Sequence, residues 1–376
     1  MYKSLKLAVG LAAISTLISC EKNNEVVDQP LSVPSTYEFT REGNSSVSYS
    51  GQTDRLNQLG EMKSMLTQGD GGYIIDEADL LAMFENANGD GNGNFTFSST
   101  KQLKNKTFDL DQTYFENILK EAAAKSVDAN NGAIAADGTA GLIARLSNNK
   151  TILVDANGFE YTQMFEKGLM GGTFFYQIAN VYLSDAKIGP TVDNTNVDPV
   201  KNYTDMEHHW DEAFGYFGAP VDFTSDYQGN ESPRYWAKYS NTSDAALGLN
   251  ESIMFGFRKG RAAIVAKKDS EKYDGKARVM NHFNKLVAAT AIHYANEAKS
   301  TTDMGDLLHV LSECYAFTRA LKYANPEYRK MDPTEVQTLL DNTLGTNLWT
   351  VTATELNLLI DTLSSTYELD DVKNIL

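Results

Sequence analysis

The chain has 376 residues, 42% of them hydrophobic, with 33 Lys+Arg against 50 Asp+Glu and a formal net charge of −17. The apolar fraction excludes a wholly disordered chain, and the length suits one large domain or about two ordinary ones. The acidity excludes nucleic acid as the main partner, and the two cysteines, Cys20 and Cys314, are too few for a disulfide framework or a four-thiolate zinc site.

Residues 1–19 read as a secretory signal. Lys3 and Lys6 precede an apolar stretch from Leu7 to Ile18, about a dozen residues and too short to span a bilayer core of roughly 30 Å. The run Leu17-Ile18-Ser19-Cys20 resembles a bacterial lipobox, which implies lipidation of Cys20 and an acyl anchor in the outer membrane. Loss of Lys3 and Lys6 with the leader takes the formal charge from −17 to −19. So acidic a body is repelled by anionic lipid, so the anchor and not the protein surface holds it to the membrane. Residues 20–35, polar and ending near Pro30 and Pro34, read as a flexible tether. Cys314 is left alone inside a helical pattern, where a thiol is most often a small core hydrophobe.

Beyond the tether the periodicity is almost wholly helical, and the expected fold is all-α, a large helical bundle over 36–376. Helices are predicted near 53–67, 77–87, 110–126, 159–186, 204–217, 233–240, 250–268, 271–299, 303–324, 333–342 and 353–366. Thr204 with Glu207, and Thr352 with Glu355, have capping-box spacing. Ser232-Pro233 and Asp332-Pro333 pair a cap with proline at the first helical position, and Glu335 adds a first-turn carboxylate. Phe95-Thr96-Phe97 and Val47-Ser48-Tyr49 are the strand candidates. The Asn86–Asn94 run begins like an EF-hand loop, but Phe97 stands where a bidentate Glu is required, so it reads as a flexible loop. Gly158–Leu183 is apolar almost all round and reads as a central buried helix, with Gly168, Gly171 and Gly172 allowing close approach of a neighbour. The connector Ile188–Asn202, with Pro190 and Pro199, would separate two halves, 36–190 and 200–376.

All five histidines lie in the second half: His208, His209, His282, His293 and His309. Three stand one helical turn from a glutamate: His209 with Glu212, His293 with Glu297, and His309 with Glu313. Such spacing puts imidazole and carboxylate on one helix face, the way bundles build transition-metal sites. On the 204–217 wheel His208 lies opposite the apolar stripe and His209 at its edge, so His209 is preferred. On the 271–299 wheel His293 and Glu297 fall within the apolar stripe, which requires a partner for a buried Glu297. His309 and Glu313 share a face with Ala316 and Ala320. Glu160, Gln163 and Glu166 are further candidate ligands. The competing readings are a hydrogen-bonded polar layer in the core and unrelated surface pairs. No Gly-x-Ser-x-Gly elbow, phosphate loop, dinucleotide fingerprint or His-Glu-x-x-His is present. Tyr227, Tyr235, Trp236 and Tyr239 read either as packing of a short helix or as a sugar-stacking platform.

Three runs carry a resemblance. Thr36-Tyr37-Glu38-Phe39, Ser50-Gly51-Gln52-Thr53 and His209-Trp210-Asp211-Glu212-Ala213-Phe214-Gly215 look like a family of uncharacterised Bacteroidota lipoproteins. A more distant similarity is to imelysin-like proteins, all-helical exported proteins linked to iron uptake and marked by Gly-x-His-x-x-Glu. His209 and Glu212 match that motif, while Glu207 stands where the glycine would be. The resemblance implies a cell-envelope lipoprotein binding a transition metal, iron favoured over zinc, or a small metal-bearing ligand. His209, Glu212, His293, Glu297, His309 and Glu313 are the candidate metal residues. The alternative is a surface glycan- or protein-binding lipoprotein without metal, and an enzyme is the weakest reading.

Overall fold

Capping chemistry sets several helix starts in the computed structural model, which describes residues 29–376. The signal segment and Cys20 lie outside the described residues. Both predicted threonine capping boxes form, at Asp205–Phe217 (α6) and Ala353–Tyr367 (α12), and Asp332 closes a third with Glu335 on Pro333–Thr343 (α11). The Ser232-Pro233 start does not hold. That helix, Trp236–Leu247 (α7), begins after Tyr235, which takes a positive φ of 45°.

The fold is all-α. Among the described residues, twelve α-helices are joined by two small two-stranded sheets. The remaining helices are Ser50–Asp70 (α1), Glu77–Glu85 (α2), Gln112–Asn130 (α3), Tyr161–Leu169 (α4), Asp185–Ile188 (α5), Leu249–Val265 (α8), Asp269–Ser300 (α9) and Met304–Ala320 (α10). Ser32–Leu376 packs as one unit. No described helix is long and apolar enough to cross a membrane.

The two predicted strands are not strands. Val47-Ser48-Tyr49 is irregular chain leading into α1, and Phe95-Thr96-Phe97 is a bend. The pairing occurs instead between Thr40–Arg41 (β1) and Asn44–Ser45 (β2), and between Gly141–Arg145 (β3) and Lys150–Val154 (β4), both antiparallel. The β3–β4 hairpin is short and its faces do not alternate cleanly, so its period-2 signal is weak. The Asn86–Asn94 loop is tied down: the Asn86 amide donates to the Ser99 and Lys101 carbonyls, and its oxygen accepts from Gly91 N at 2.8 Å.

The apolar Gly158–Leu183 segment is central and buried, as its composition requires. Its second half is not α-helical: Met170–Phe175 and Gln177–Tyr182 are wound as π-helix. The wider turn frees carbonyls that other groups take up. Trp236 Nε1 donates to Met170 O at 2.8 Å, Phe108 N to Gly172 O at 2.8 Å, and Asn325 Nδ2 to Ala179 O at 2.9 Å. The glycines permit that contact: a Cβ on Gly171 would stand 2.7 Å from the Ala320 Cβ, and one on Gly172 would stand 2.9 Å from the Phe115 ring.

A close helix crossing joins α8 to α9. Gly256 and Gly260 on α8 face Gly275 on α9, and a Cβ on Gly260 would sit 2.0 Å from the Trp210 ring of α6. Gly260→Ala gains about 1 kcal/mol of helix propensity but forces that ring or helix apart. Overpacking of this kind costs about 1–3 kcal/mol. A net loss of stability in urea unfolding is therefore expected, and a gain would show that this crossing is not tight.

Candidate functional site

Helix α6 carries two faces of opposite character. Its buried face holds Trp210, Ala213, Phe214 and Phe217, but also the carboxylates Glu207 and Asp211. A buried charge must be paired, and both pair with Arg261 of α8, which is itself fully buried. Arg261 Nε donates to Asp211 Oδ1 at 2.9 Å and Nη1 stands 3.1 Å from Glu207 Oε1. Arg41 Nη2 reaches the same Glu207 oxygen at 2.7 Å. Asp211 also accepts from the Tyr37 hydroxyl at 2.8 Å and from Ser48 N at 3.2 Å. Burial pushes the Asp211 carboxyl up to about 6, with Arg261, Tyr37 and Ser48 resisting the rise. The network clamps the segment 37–48 onto α6, with the Tyr37 ring stacked 3.7 Å from that of Phe214.

The clamp brings the polar face of α6 under cover. His208 Nδ1 lies 3.0 Å from the Ser48 carbonyl, and its ring stacks on Tyr203 at 4.5 Å. A carbonyl accepts only, so Nδ1 carries the proton and Nε2 keeps its lone pair in the neutral ring. Burial holds the His208 pKa below the ordinary value against the raising pull of Glu212 and Ser48. That Nε2 points at Glu212 Oε2, 3.9 Å away, and His209 Nδ1 lies 3.4 Å from the same oxygen. Gln52 of α1 donates to the other Glu212 oxygen at 3.0 Å. Burial would raise the Glu212 carboxyl, but hydrogen bonds, first from His209 and then from Gln52 and Tyr182, hold it down at about 2. Tyr182 closes the π-wound stretch, and its hydroxyl accepts from Lys106 Nζ at 3.1 Å. His208, set aside on the helical wheel because it lies opposite the stripe, is thus half-buried beneath a segment 160 residues away in sequence.

His309 and Glu313 have a different setting. His309 Nδ1 meets Glu160 Oε2 at 2.6 Å, and Nε2 stands 3.6 Å from Glu313 Oε2. Both ring nitrogens face carboxylates, an arrangement that favours the imidazolium. Burial lowers its pKa, but Glu160 and Glu313 outweigh this and raise it overall. A charge chain continues through Lys167, 3.3 Å from Glu313 and 2.7 Å from Glu166, to Lys63 at 2.7 Å from Glu166. Gln163 donates to Glu160 at 3.2 Å. The further candidates Glu160, Gln163 and Glu166 therefore join this layer. An imidazolium has no lone pair for a metal.

His293 and Glu297 do not lie in the apolar stripe. The buried line of α9 runs through Val287, Ala291, Ala295 and Ala298, which turns this pair toward solvent. They stand 3.8 Å apart with side chains 36% and 48% exposed. No hydrogen bond or ion pair joins one His/Glu pair to another among the described residues, and as they stand no three or more His, Cys, Asp or Glu side chains there are already gathered at metal-ligand range. The aromatic platform is core packing: Trp236 is fully buried, Tyr227 and Tyr239 nearly so, and the Tyr235 hydroxyl donates to Leu56 O at 2.8 Å. Cys314 is fully buried, and burial pushes its thiol up to about 12.

The three sequence runs that carry the resemblance meet here. Tyr37 bonds Asp211, Gln52 bonds Glu212, and a Cβ on Gly215 would touch Tyr49 and Gln52. A family described as Domain of unknown function (DUF4856) matches residues 34–370. The chain belongs to this family. No curated protein and no solved structure matches it. In this DUF4856 chain sequence reasoning did not single out Asp211, Arg261 or Ser48, and it passed over His208 in favour of His209. Arg261 was findable: it falls on the apolar line Ile253, Phe257, Arg261 at helical spacing, where a cation demands a buried partner.

Two outcomes follow. Asp211→Ala leaves Arg261 buried and short of a carboxylate, which costs about 3–5 kcal/mol in chemical unfolding. His309 gives a pH-dependent result. Its folded pKa is raised, so its stabilisation is complete below the unfolded value, about 6.5, and is lost as pH rises through the folded value. The melting-temperature deficit of His309→Gln should be largest near the acid end of that window and shrink at alkaline pH. A deficit independent of pH would show that the ring is not held as a cation.

Proposed function

We propose that this chain is a cell-envelope lipoprotein that binds a transition metal ion, iron favoured, or a metal-bearing ligand, through His209 and Glu212 with His208 added to the set. The observation that carries the reading is the meeting of His208 Nε2, which keeps a lone pair because Nδ1 is spent on Ser48, with an ionised Glu212 oxygen at 3.9 Å. Two electron-rich atoms turned toward each other attract a cation. The donor chemistry fits: neutral imidazole and carboxylate suit iron or zinc, and the backbone carbonyl behind His208 is the outer partner that fixes a ligating tautomer. Ligands about 2.1 Å from one ion stand roughly 3–3.5 Å apart, so the cluster would tighten by a few tenths of an ångström on binding. Solvent or a ligand would complete the coordination. His309 with Glu313, and His293 with Glu297, have no part in the site. The lipobox-like Leu17–Cys20 run supports the anchor.

The test is metal analysis of the full mature chain purified without chelator, followed by calorimetric titration with Fe²⁺ and Zn²⁺. One equivalent of metal is expected. Binding should fall at least tenfold in Glu212→Gln and His208→Ala and stay unchanged in the exposed His293→Ala. A metal-free protein that gives no heat, or a Glu212→Gln variant that binds normally, overturns the reading. Affinity should also fall as pH drops, because protons compete for the imidazoles.

A further inference from the structure

On the side of the molecule formed by α3, the loop between β4 and α4, and α10 lies a cleft of about 300 Å³. Its walls are four aromatic rings, Tyr114, Phe159, Tyr161 and Tyr315, and its polar groups include the carboxylates Glu121 and Asp155. Phe159 and Tyr315 meet edge to face, 5.0 Å apart at 78°, so the two rings stand at right angles and form a corner. The geometry points to a binding site for a small organic ammonium cation, held by these ring faces and by Glu121 and Asp155.

Three observations argue for a cation. First, neither carboxylate has an ion-pair partner among the described residues: Lys125, one turn from Glu121 on α3, pairs with Asp128 at 2.9 Å. Asp155 accepts through Oδ1 from Asn157 N at 2.8 Å and Phe159 N at 2.9 Å. These bonds fix its position. Second, the two acids act on each other. Burial raises the Asp155 pKa, hydrogen bonds from Phe159 and Asn157 oppose this, and the Glu121 charge adds to the rise. A cation between them relieves that repulsion. Third, among the described residues no lysine or arginine sits over the Phe159, Tyr161 or Tyr315 ring, while the Arg319 guanidinium covers one face of Tyr114 at 4.1 Å and is paired with Asp111 at 3.2 Å. Ring faces attract ammonium groups through their quadrupole, by about 0.5–1 kcal/mol each when exposed and more when desolvated. The cleft opens into a polar groove of about 830 Å³ that shares Glu121, Asp155 and Tyr161, so the cation can carry a polar tail. This site lies apart from the α6 cluster and does not depend on its occupancy.

The probe is choline, set against its uncharged isostere 3,3-dimethyl-1-butanol, in calorimetric titration of the full mature chain. One choline per chain is expected, with the isostere at least tenfold weaker. Glu121→Gln sits on an exposed helix face and keeps the fold. It should weaken choline several-fold, and Asp155→Asn, which retains the Oδ1 acceptor, at least tenfold. Tyr315→Ala should also weaken it, with circular dichroism reporting on the fold. No binding at millimolar choline, equal binding of the isostere, or a neutral sugar bound more tightly than choline and indifferent to Glu121→Gln would each overturn the proposal.

Discussion

The buried ion pair between Arg261 and Asp211 is the constraint on which the arrangement of α6 depends. A guanidinium with no solvent exposure is tolerated only where carboxylates and carbonyls surround it. Asp211, Glu207 and the Ser46 carbonyl supply them, the last accepting at 2.8 Å. Those groups come from α6 and the chain before α1, and the guanidinium itself from α8, so one cation fixes the relation of three segments. A hydrophobic substitute of similar volume would hold the helices together as well. It would not hold segment 37–48 in register, because that segment is bonded through its Tyr37 hydroxyl and Ser48 amide. Register is what places the Ser48 carbonyl over His208, and through it the ring tautomer.

The contrast between His208 and His309 follows from what each ring nitrogen faces. His309 lies between two carboxylates, so proton binding is reinforced on both sides. His208 has a carbonyl on one side and a carboxylate at 3.9 Å on the other, and burial tips it toward the neutral form. The same residue pair at the same helical spacing therefore gives a structural cation in one helix and a cation acceptor in another. Spacing alone carries no information about which.

Helix positions were legible because they follow from local rules. The capping boxes at Thr204 and Thr352 and the proline start at Pro333 are decided within four residues. The π-winding of Met170–Phe175 was not legible, because it depends on Trp236 and Phe108 taking up freed carbonyls from afar. The candidate site was half legible. His209 and Glu212 lie at the stripe edge of α6 and could be picked on a wheel. His208 could not, since its cover comes from Ser48 and Tyr203 through non-local packing. His293 and Glu297 were misplaced for a related reason: α9 is packed by α8, α10 and α12, and a helix with several neighbours has no single stripe to read.

The charge of the chain takes on a sharper meaning against these sites. A formal charge of −17 spread over the surface sets up a negative potential that concentrates cations and repels anions. Both the Glu212 cluster and the Glu121–Asp155 cleft present carboxylates with no lysine or arginine in ion-pair range among the described residues, whereas the buried acids Glu166, Glu207, Asp211 and Asp306 are each matched to a base. Two further buried acids, Asp70 and Asp244, have no base among the described residues and are held instead by neutral donors, Leu153 N and the Thr162 hydroxyl for Asp70 and Asn250 N and Asp226 N for Asp244. Acidity excludes a polyanionic partner by repulsion. At the two proposed sites the same negative potential would favour a ligand of the opposite sign.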